Sequence, residues 1–300
     1  MPRISVIVPA YNAAGTIGSA LRSTLRDLPR DAEIVVLDDG SSDGTAAAVD
    51  AVADDRVRMI SRANRGVAAT LDELLDLTDG EIVARMDADD LVLPGRFRRQ
   101  LRAIDGGADA VFTTVVTWGS GMPGVPRPSG IHPDDFGLHL LLTNPVAHST
   151  LLARRSAIVD AGGYRALPTE DYDLWLRMAA RGSRLTRLGL PGLAYRVHPG
   201  QVTASAQWRH ASWTNAELAA AYSELAEKLI GTPATRITSL SIDDRLDAAG
   251  KLAEFDGFAH RFSAALDGHS ASAQRALRRK LSERRSWLTS RIHQGSVVAR

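Results

Sequence analysis

Three acidic clusters carry most of the chemistry that this sequence offers. The first is Asp87-Ala88-Asp89-Asp90, directly after the apolar run Ile82-Val83-Ala84. Carboxylates that surface at the end of a buried strand suit a hard cation such as Mg²⁺ or Mn²⁺, which takes oxygen ligands and shares its coordination with substrate phosphates. Such an ion neutralises charge on a departing diphosphate. An isolated Asp-x-Asp is more often a solvated acidic turn. The spacing is not that of an EF-hand, which needs a central Gly and a terminal Glu. The second cluster runs Asp38-Asp39-Gly40-Ser41-Ser42-Asp43-Gly44-Thr45. Here Asp39 is expected to accept hydrogen bonds from a ribose or a base edge. Asp43 or Ser42 is expected to cap the next helix, with the glycines supplying turn freedom. The third is Glu170-Asp171. Acids at a helix start are favoured by the macrodipole alone, and a carboxylate at a pocket edge can also deprotonate an acceptor hydroxyl as general base. His148 and His198 each adjoin a strand-like run. Histidines in such places more often serve surface hydrogen bonding than ligation.

These clusters need elements to hold them. Ile4–Val8, Glu33–Leu37, Val57–Ile60 and Glu81–Met86 read as short buried strands, and Thr16–Arg26, Asp43–Val52 and Val67–Leu77 as the helices between them. Pro94 opens a further helix to about Ile104. Strands alternating with helices imply a mostly parallel sheet covered on both faces. Ligands of such sheets bind outside the carboxyl ends of the strands. Tyr11-Asn12, Asp38-Asp39 and Asp87–Asp90 all follow strand ends, so one pocket can collect them. Further on, Ala108–Thr117, Ser149–Ala153, Leu185–Leu188 and Ala194–Val197 are strand candidates, and Gly119–Pro133 reads as a loop. Asp171–Arg181 is a helix with Leu174, Trp175 and Met178 facing the core and Arg177 on the polar side. From about Gln207 the pattern is helical. The expected division is a catalytic domain over residues 1–205 and a helical extension over 206–300.

Composition narrows the class. With no cysteine among 300 residues, disulfides, thiolate metal sites and a Cys nucleophile are excluded. A net charge of +1 carries no polyanion signature, so nucleic acid is not an expected partner. No run reaches the ~18–20 apolar residues of a membrane span, and the first residues lack the pattern of a signal peptide. A cytoplasmic protein is the simplest expectation. The absence of G-x-G-x-x-G after the first strand argues against a dinucleotide-binding fold.

The motifs in order, IVPAYN, VVLDDGSSDGT, NRGVAA, MDADD, GGYR, EDYDLWLR and YRVHPGQVT, resemble the inverting glycosyltransferases of family 2, which have the GT-A fold. The resemblance spans about residues 3–203, and its specificity lies in the joint order. It implies that Pro9, Tyr11 and Asp39 frame the nucleotide, with Asn64 and Gly66 near it. It further implies that Asp87 and Asp89 form the metal-binding DxD, Asp89 being the direct ligand, and that Asp171 is the catalytic base. His198 matches a position near the diphosphate or metal. The implied reaction transfers a sugar from a nucleotide diphosphate donor, UDP-sugars favoured, to a glycan or lipid-linked acceptor in cell-envelope or exopolysaccharide synthesis, with Mn²⁺ or Mg²⁺. In one departure, Thr70-Leu71-Asp72 stands where the family often has Ala-Arg-Asn; Arg62, Arg65 and Arg85 are the candidates to supply the missing guanidinium. A nucleotidyltransferase and a lapsed nucleotide-sugar-binding protein are the competing readings. Against the first stand Glu170-Asp171 and the lack of a Gly-rich, Lys-bearing phosphate loop. Against the second stands the joint presence of Asp87, Asp89, Asp171 and His198.

The carboxyl-terminal segment repeats Leu277, Leu281, Leu288 and Ile292 at helical spacing, with Trp287 alongside and seven Arg or Lys residues between Arg275 and Arg291. A basic amphipathic helix of this kind either lies on an anionic membrane surface at the inner face of the membrane or packs on the catalytic domain or a second subunit as a homodimer contact.

Overall fold

The computed structural model describes residues 2–119, 124, 129–198 and 205–298. Two compact units interleave in sequence. One comprises Met1–Pro133, Val146–Ala166 and Gly182–Ala204; the other comprises Asp134–Pro145, Leu167–Arg181 and Ser205–Arg300.

The first unit opens with β1 (Ile4–Ala10), α1 (Ile17–Asp27), β2 (Ala32–Asp38), α2 (Thr45–Asp50), β3 (Val57–Ser61), α3 (Val67–Asp76) and β4 (Ile82–Arg85). β1 pairs in parallel with β2 on one side and β4 on the other, and β2 pairs in parallel with β3. Ile4, Val6, Val8, Ile34 and Val36 point to one face, where they pack with Ile17 and Leu21 of α1. Ile7, Val35 and Leu37 are buried too, on the opposite face, where α3 lies on β1. Residues two apart share a face, and burial of both faces explains why these strands read as unbroken apolar runs.

After β4 come β5 (Leu91–Val92), α4 (Arg96–Asp105), β6 (Ala110–Gly119), β7 (Leu152–Arg154), α6 (Arg155–Asp160) and β8 (Leu185–Val197), with α5 (Pro133–Leu142) between β6 and β7 assigned almost wholly to the other unit. The eight strands form one sheet in the order β3-β2-β1-β4-β7-β6-β8-β5. The sheet is mixed: β7 runs antiparallel to β4 and β6, and β5 antiparallel to β8. Two local expectations change. Ser149 and Thr150 lie in a 3-10 turn, because the Thr150 hydroxyl and N–H both bond back to the Ala147 carbonyl (2.7 and 3.0 Å), so the strand starts at Leu152. The runs Leu185–Leu188 and Ala194–Val197 are one strand, which passes Pro191-Gly192 by shifting register against β6 between Thr113 and Val115. Proline is tolerated inside a sheet at such an irregularity.

The second unit holds α5, α7 (Glu170–Ala180), α8 (Ala206–Thr214), α9 (Ala216–Ile230), α10 (Ile237–Ser241), α11 (Ala248–Ala264) and α12 (Ala271–Val298). α7 packs on α9, and the buried hydroxyls of Tyr172 and Tyr222 donate to the Leu140 and Leu141 carbonyls of α5 (2.5 and 2.8 Å). Leu277, Leu281 and Leu288 of α12 are buried, and Trp213 meets Trp287 edge-on at 6.0 Å. The apolar stripe of the basic helix is thus used within its own unit, against α10 and α11. That face cannot lie on a membrane at the same time.

Candidate active site

The strand order sets where a ligand can enter. From β1 the chain steps outward to β2 and β3, then returns to place β4 on the other side of β1. This reversal is a topological switch point, and a crevice forms there at the carboxyl ends of the strands. Ala10 of β1 pairs with Asp38 of β2, and Ile7 with Arg85 of β4. The segments that follow, Tyr11-Asn12, Asp39–Gly44 and Asp87–Asp90, therefore leave the same edge.

The loop after β1 and the loop after β2 are laced together. Asn12, held at φ +49°, takes a hydrogen bond from the Ser42 N–H on its Oδ1 (2.9 Å) and gives its own N–H to Ser41 Oγ (2.8 Å). Asp38 Oδ1 accepts from the Ser41 hydroxyl (2.5 Å). Asp43 accepts the N–H groups of Thr45 (3.0 Å) and Ala14 (3.1 Å), so it braces the start of α2, whose N-cap residue is Gly44, and ties down the first loop. These bonds to the ionised form hold its carboxyl below the usual range, the Thr45 hydroxyl contributing most. Tyr11 stands 57% exposed above this scaffold, with Pro9 partly buried beneath it in β1.

Asp39 is buried and held by three donors. Its Oδ1 accepts the Arg65 N–H (2.8 Å) and an ion pair from the Arg62 guanidinium, and its Oδ2 accepts the Gly66 N–H (2.8 Å). Gly66 adopts φ +87°, which a side chain would resist. Gly40 adopts φ +79°, and a Cβ there would lie 2.9 Å from the Asn64 amide nitrogen. Asn64 itself is exposed. Arg62 goes on to Glu73 Oε2 (2.7 Å), the Ala63 carbonyl (2.8 Å) and the Thr70 hydroxyl (2.9 Å). Of the three arginines weighed for the family's missing one, Arg62 is the one that reaches both Asp39 and Thr70. Leu71 is fully buried, and Asp72 Oδ1 accepts the Tyr164 N–H of the Gly-Gly-Tyr-Arg segment (3.3 Å).

The cluster after β4 is built differently. Oxygens of Asp87, Asp89 and Asp90 all lie within 4.8 Å of one another. His198 Nε2 stands 3.2 Å from Asp89 Oδ2, so the structure joins these two predicted residues across more than a hundred positions of sequence. Asp87 pairs with Arg85. Burial, reinforced by the Asp87 charge, pushes the Asp89 carboxyl up. Asp90 is completely buried, and burial followed by the Asp87 charge raises it to about 7. It accepts hydrogen bonds from the Ser149 hydroxyl and the Arg196 N–H, both at 2.8 Å. Arg196 also donates from Nε to the Asp89 carbonyl (3.0 Å) and lies 4.0 Å over the Trp118 ring.

A buried polar strut sets this cluster's position. Arg96 has no exposed surface, and burial lowers its guanidinium to about 10. It donates to the Arg85 and Leu151 carbonyls (3.1 and 3.3 Å) and to Gln100 Oε1 (3.0 Å). Gln100 Nε2 continues to the Val111 and Thr150 carbonyls, both 2.7 Å away. Sequence reasoning did not find Asp90, Ser149, Arg96, Gln100 or Arg196 as individual contributors. The one signal in the sequence was the amphipathic pattern of α4, which puts Arg96 and Gln100 at i, i+4 on one face with Phe97 and Ile104 nearby.

Asp171 belongs to the second unit, in the first turn of α7, where Asn144 Nδ2 donates to its Oδ2 (2.9 Å). Asp173 and Arg177, four residues apart, form a buried ion pair at 2.7 Å. Arg177 is therefore not on a polar face, because its charge is matched inside the helix's own packing. His148 donates to or accepts from the Tyr164 hydroxyl at 2.9 Å. Residues 199–203 of the YRVHPGQVT motif lie outside the described residues.

The carboxylate and histidine set has the donors a divalent cation takes, hard oxygens with one imidazole. Comparison with known proteins agrees with the fold. The family model described as glycosyl transferase family 2 matches residues 5–160. The putative glycosyltransferase EpsE of Bacillus subtilis is 32% identical over 200 residues, 61% of this chain and 69% of that protein. WfaP of Escherichia coli, a UDP-Glc:alpha-D-GlcNAc-diphosphoundecaprenol beta-1,3-glucosyltransferase, is 26% identical over 208 residues, 68% of this chain and 81% of that one. The structure of S. aureus TarS 1-349 in complex with UDP-GlcNAc superposes with a TM-score of 0.62 at 18% identity, covering 98% of this chain and 92% of that one. With a match over half its length, motifs at the switch point of a mixed sheet and a carboxylate triad where the DxD falls, the chain belongs to glycosyl transferase family 2 and is a glycosyltransferase of the GT-A fold.

Proposed function

We propose that this glycosyltransferase moves a sugar from a nucleotide diphosphate sugar to an acceptor hydroxyl with inversion, in the assembly of a bacterial exopolysaccharide or cell-envelope glycan. The observation that carries the reading is the Asp87, Asp89 and Asp90 triad, within 4.8 Å at the switch-point edge. UDP is the favoured nucleotide. WfaP is named for a UDP-Glc donor and a lipid-diphosphate acceptor, and TarS was solved with UDP-GlcNAc. The relative ExoU of Rhizobium meliloti is named for succinoglycan biosynthesis.

In this reading Pro9, Tyr11 and Asp39 receive the nucleotide, with Asn64 and Gly66 at its border. Asp39 is pre-oriented by the Arg62 guanidinium and two backbone N–H groups. Asp89, with Asp87 and His198, would hold a divalent cation. Asp90, whose oxygens are already occupied by Ser149 and Arg196, contributes charge and position. A bound Mn²⁺ or Mg²⁺ supplies positive charge to the diphosphate as it leaves; a GT-A neighbour, the mannosyltransferase of Pyrobaculum calidifontis, was solved with GDP-Man and Mn²⁺. Asp171 takes the proton of the acceptor hydroxyl while that oxygen bonds to the anomeric carbon. The bond from that carbon to the diphosphate oxygen breaks, and the nucleoside diphosphate leaves with the bonding pair. The transition state has oxocarbenium character.

A panel of nucleotide sugars tests the reading, because accumulation of free nucleoside diphosphate is expected. Accumulation of pyrophosphate would instead make the chain a nucleotidyltransferase. Asp171→Asn should lower kcat by about 10²–10⁴ with donor affinity kept. Loss of donor binding at an unchanged turnover rate would make Asp171 a structural cap.

A further inference from the structure

We propose that the first unit carries a second anion site, a cleft of about 850 Å³ between the end of α1 and the outer face of α4 that takes a phosphate or diphosphate group. Arg3 lines it and immediately precedes β1, so the cleft opens at the amino end of the strands. Asp39 and the Asp87–Asp90 triad follow the carboxyl ends, at the opposite edge. The cleft is therefore separate from the proposed donor site.

Its walls gather positive charge that the protein itself does not neutralise. Arg3, Arg98, Arg99 and Arg102 line it, against Asp27 and Asp105. Both acids are committed. Asp105 pairs with Arg3 at 2.8 Å, and Asp27 accepts the N–H groups of Gly95 (2.5 Å) and Phe97 (2.9 Å), which closes the start of α4. Arg98, Arg99 and Arg102 are exposed, and among the described residues none of them has a carboxylate partner. Two of these guanidiniums converge. A Cβ placed on Gly95 would stand 3.3 Å from both Arg98 Nη2 and Arg99 Nη1. Arg98 and Arg102 are a like-charged i, i+4 pair, an arrangement that weakens a helix on its own. Arg26 and Arg30, both exposed, flank the lining segment 27–29 in sequence.

Guanidinium groups in a shared concavity match the planar, multidentate recognition of phosphate oxygens. A phosphate would turn the repulsion between Arg98 and Arg99 into attraction. The floor includes Leu28 and Leu101, which leaves room for an apolar part of a larger phosphorylated molecule. The shared chemistry is thus a phosphoryl anion, free or on a lipid headgroup.

The test uses the full chain in chelator, which leaves the Asp87–Asp90 triad without the cation through which a diphosphate would bind, and adds saturating UDP to compete for the nucleotide loops. Inorganic pyrophosphate is titrated calorimetrically, and vesicles of phosphatidylglycerol in phosphatidylcholine are used in flotation. The variant is R98E/R99E/R102E, with circular dichroism and UDP affinity as folding controls. The wild type is expected to bind at least one probe, and each lost guanidinium contact to weaken binding about tenfold. Pyrophosphate binding identifies a soluble anion as the source; binding of the anionic vesicles alone identifies a headgroup. Two results overturn the proposal: binding of neither probe, or equal binding by a folded triple variant. If R275E/R278E/R279E, in α12, abolishes vesicle binding while R98E/R99E/R102E leaves it intact, the anion surface belongs to α12 and not to this cleft. Failure here leaves the nucleotide-sugar reading untouched, since that reading rests on the Asp87, Asp89 and Asp90 triad and is tested by release of nucleoside diphosphate from nucleotide sugars.

Discussion

Two acidic loops leave the same edge of the sheet, and they are wired in opposite ways. Asp39 is held by three donors: the Arg65 and Gly66 N–H groups and the Arg62 guanidinium. Asp87, Asp89 and Asp90 crowd their oxygens within 4.8 Å, with Asp89 and Asp90 both pushed up in pKa by burial and by the Asp87 charge. The first loop is complete as folded and offers a ligand a fixed shape. The second crowds three carboxylates against only partial compensation, from Arg85 at Asp87 and His198 at Asp89. Charge buried at such a cost is a mark of function when it sits in a cleft. The contrast fits the proposed roles, shape recognition for the first loop and cation binding for the second.

The largest expected effect comes from removing charge from the crowded loop. Asp89→Asn should reduce turnover by roughly 10²–10⁴, while melting of the metal-free protein stays the same or rises, because a like-charge repulsion has gone. Wild-type turnover of this variant in chelator would rule out a required cation. The matching cut in the satisfied loop is Arg62→Ala. It leaves Asp39 buried with two neutral donors and should weaken UDP binding about tenfold or more, with turnover at saturating donor nearly kept. If Arg62→Ala and Asp89→Asn act alike on kcat, the proposed division of labour fails.

A third experiment reads the crowding through pH. Folded Asp90 keeps its proton up to about pH 7, whereas the unfolded chain releases it near 3.8. Between these values the folded state binds more protons, so its stability falls as pH rises. In chelator, Asp90→Asn should therefore compare with wild type more favourably at pH 8.5 than at pH 5.5 in thermal melts. A gap that does not move with pH would mean that Asp90 is not strained by its neighbours. The smallest effect is expected at Gly40. Its φ of +79° and the approach of the Asn64 amide predict that Gly40→Ala costs about 1–2 kcal/mol. Donor affinity should fall in step, since the same loop carries Asp39; a neutral melt would show that the loop yields easily.

Much of this architecture was legible beforehand. β1 to β4 and the helices between them follow from apolar runs closed by turn residues. A bracing role for Asp43 was legible because an acid two residues before a helix has a local partner, here the Thr45 N–H, though the N-cap position itself falls on Gly44. The strand expected at Ser149 and the split expected in β8 went astray for different reasons. The first yields to a local turn, Thr150 bonding back to the Ala147 carbonyl, while the second depends on the register against β6, which is distant in sequence. The tail shows the same division. The periodicity of Leu277, Leu281 and Leu288 correctly marks an amphipathic helix, yet cannot say what covers its apolar face; burial within the second unit does.

By itself the sequence determined the element types, the three acidic clusters and, through motifs in order, the family. Those properties are local: a side chain's periodicity, a turn's chemistry and a motif's spacing are written within a few residues. The tertiary structure alone decided which charges meet. It brought His198 to Asp89, Ser149 and Arg196 to Asp90, and Arg62 to Asp39 and Thr70, and it buried Arg96 and Arg177 where the sequence offers only charged residues on helices. The reason is physical. Whether a charge is paired, desolvated or free depends on distances of a few ångströms between segments far apart along the chain, and no local pattern encodes those distances.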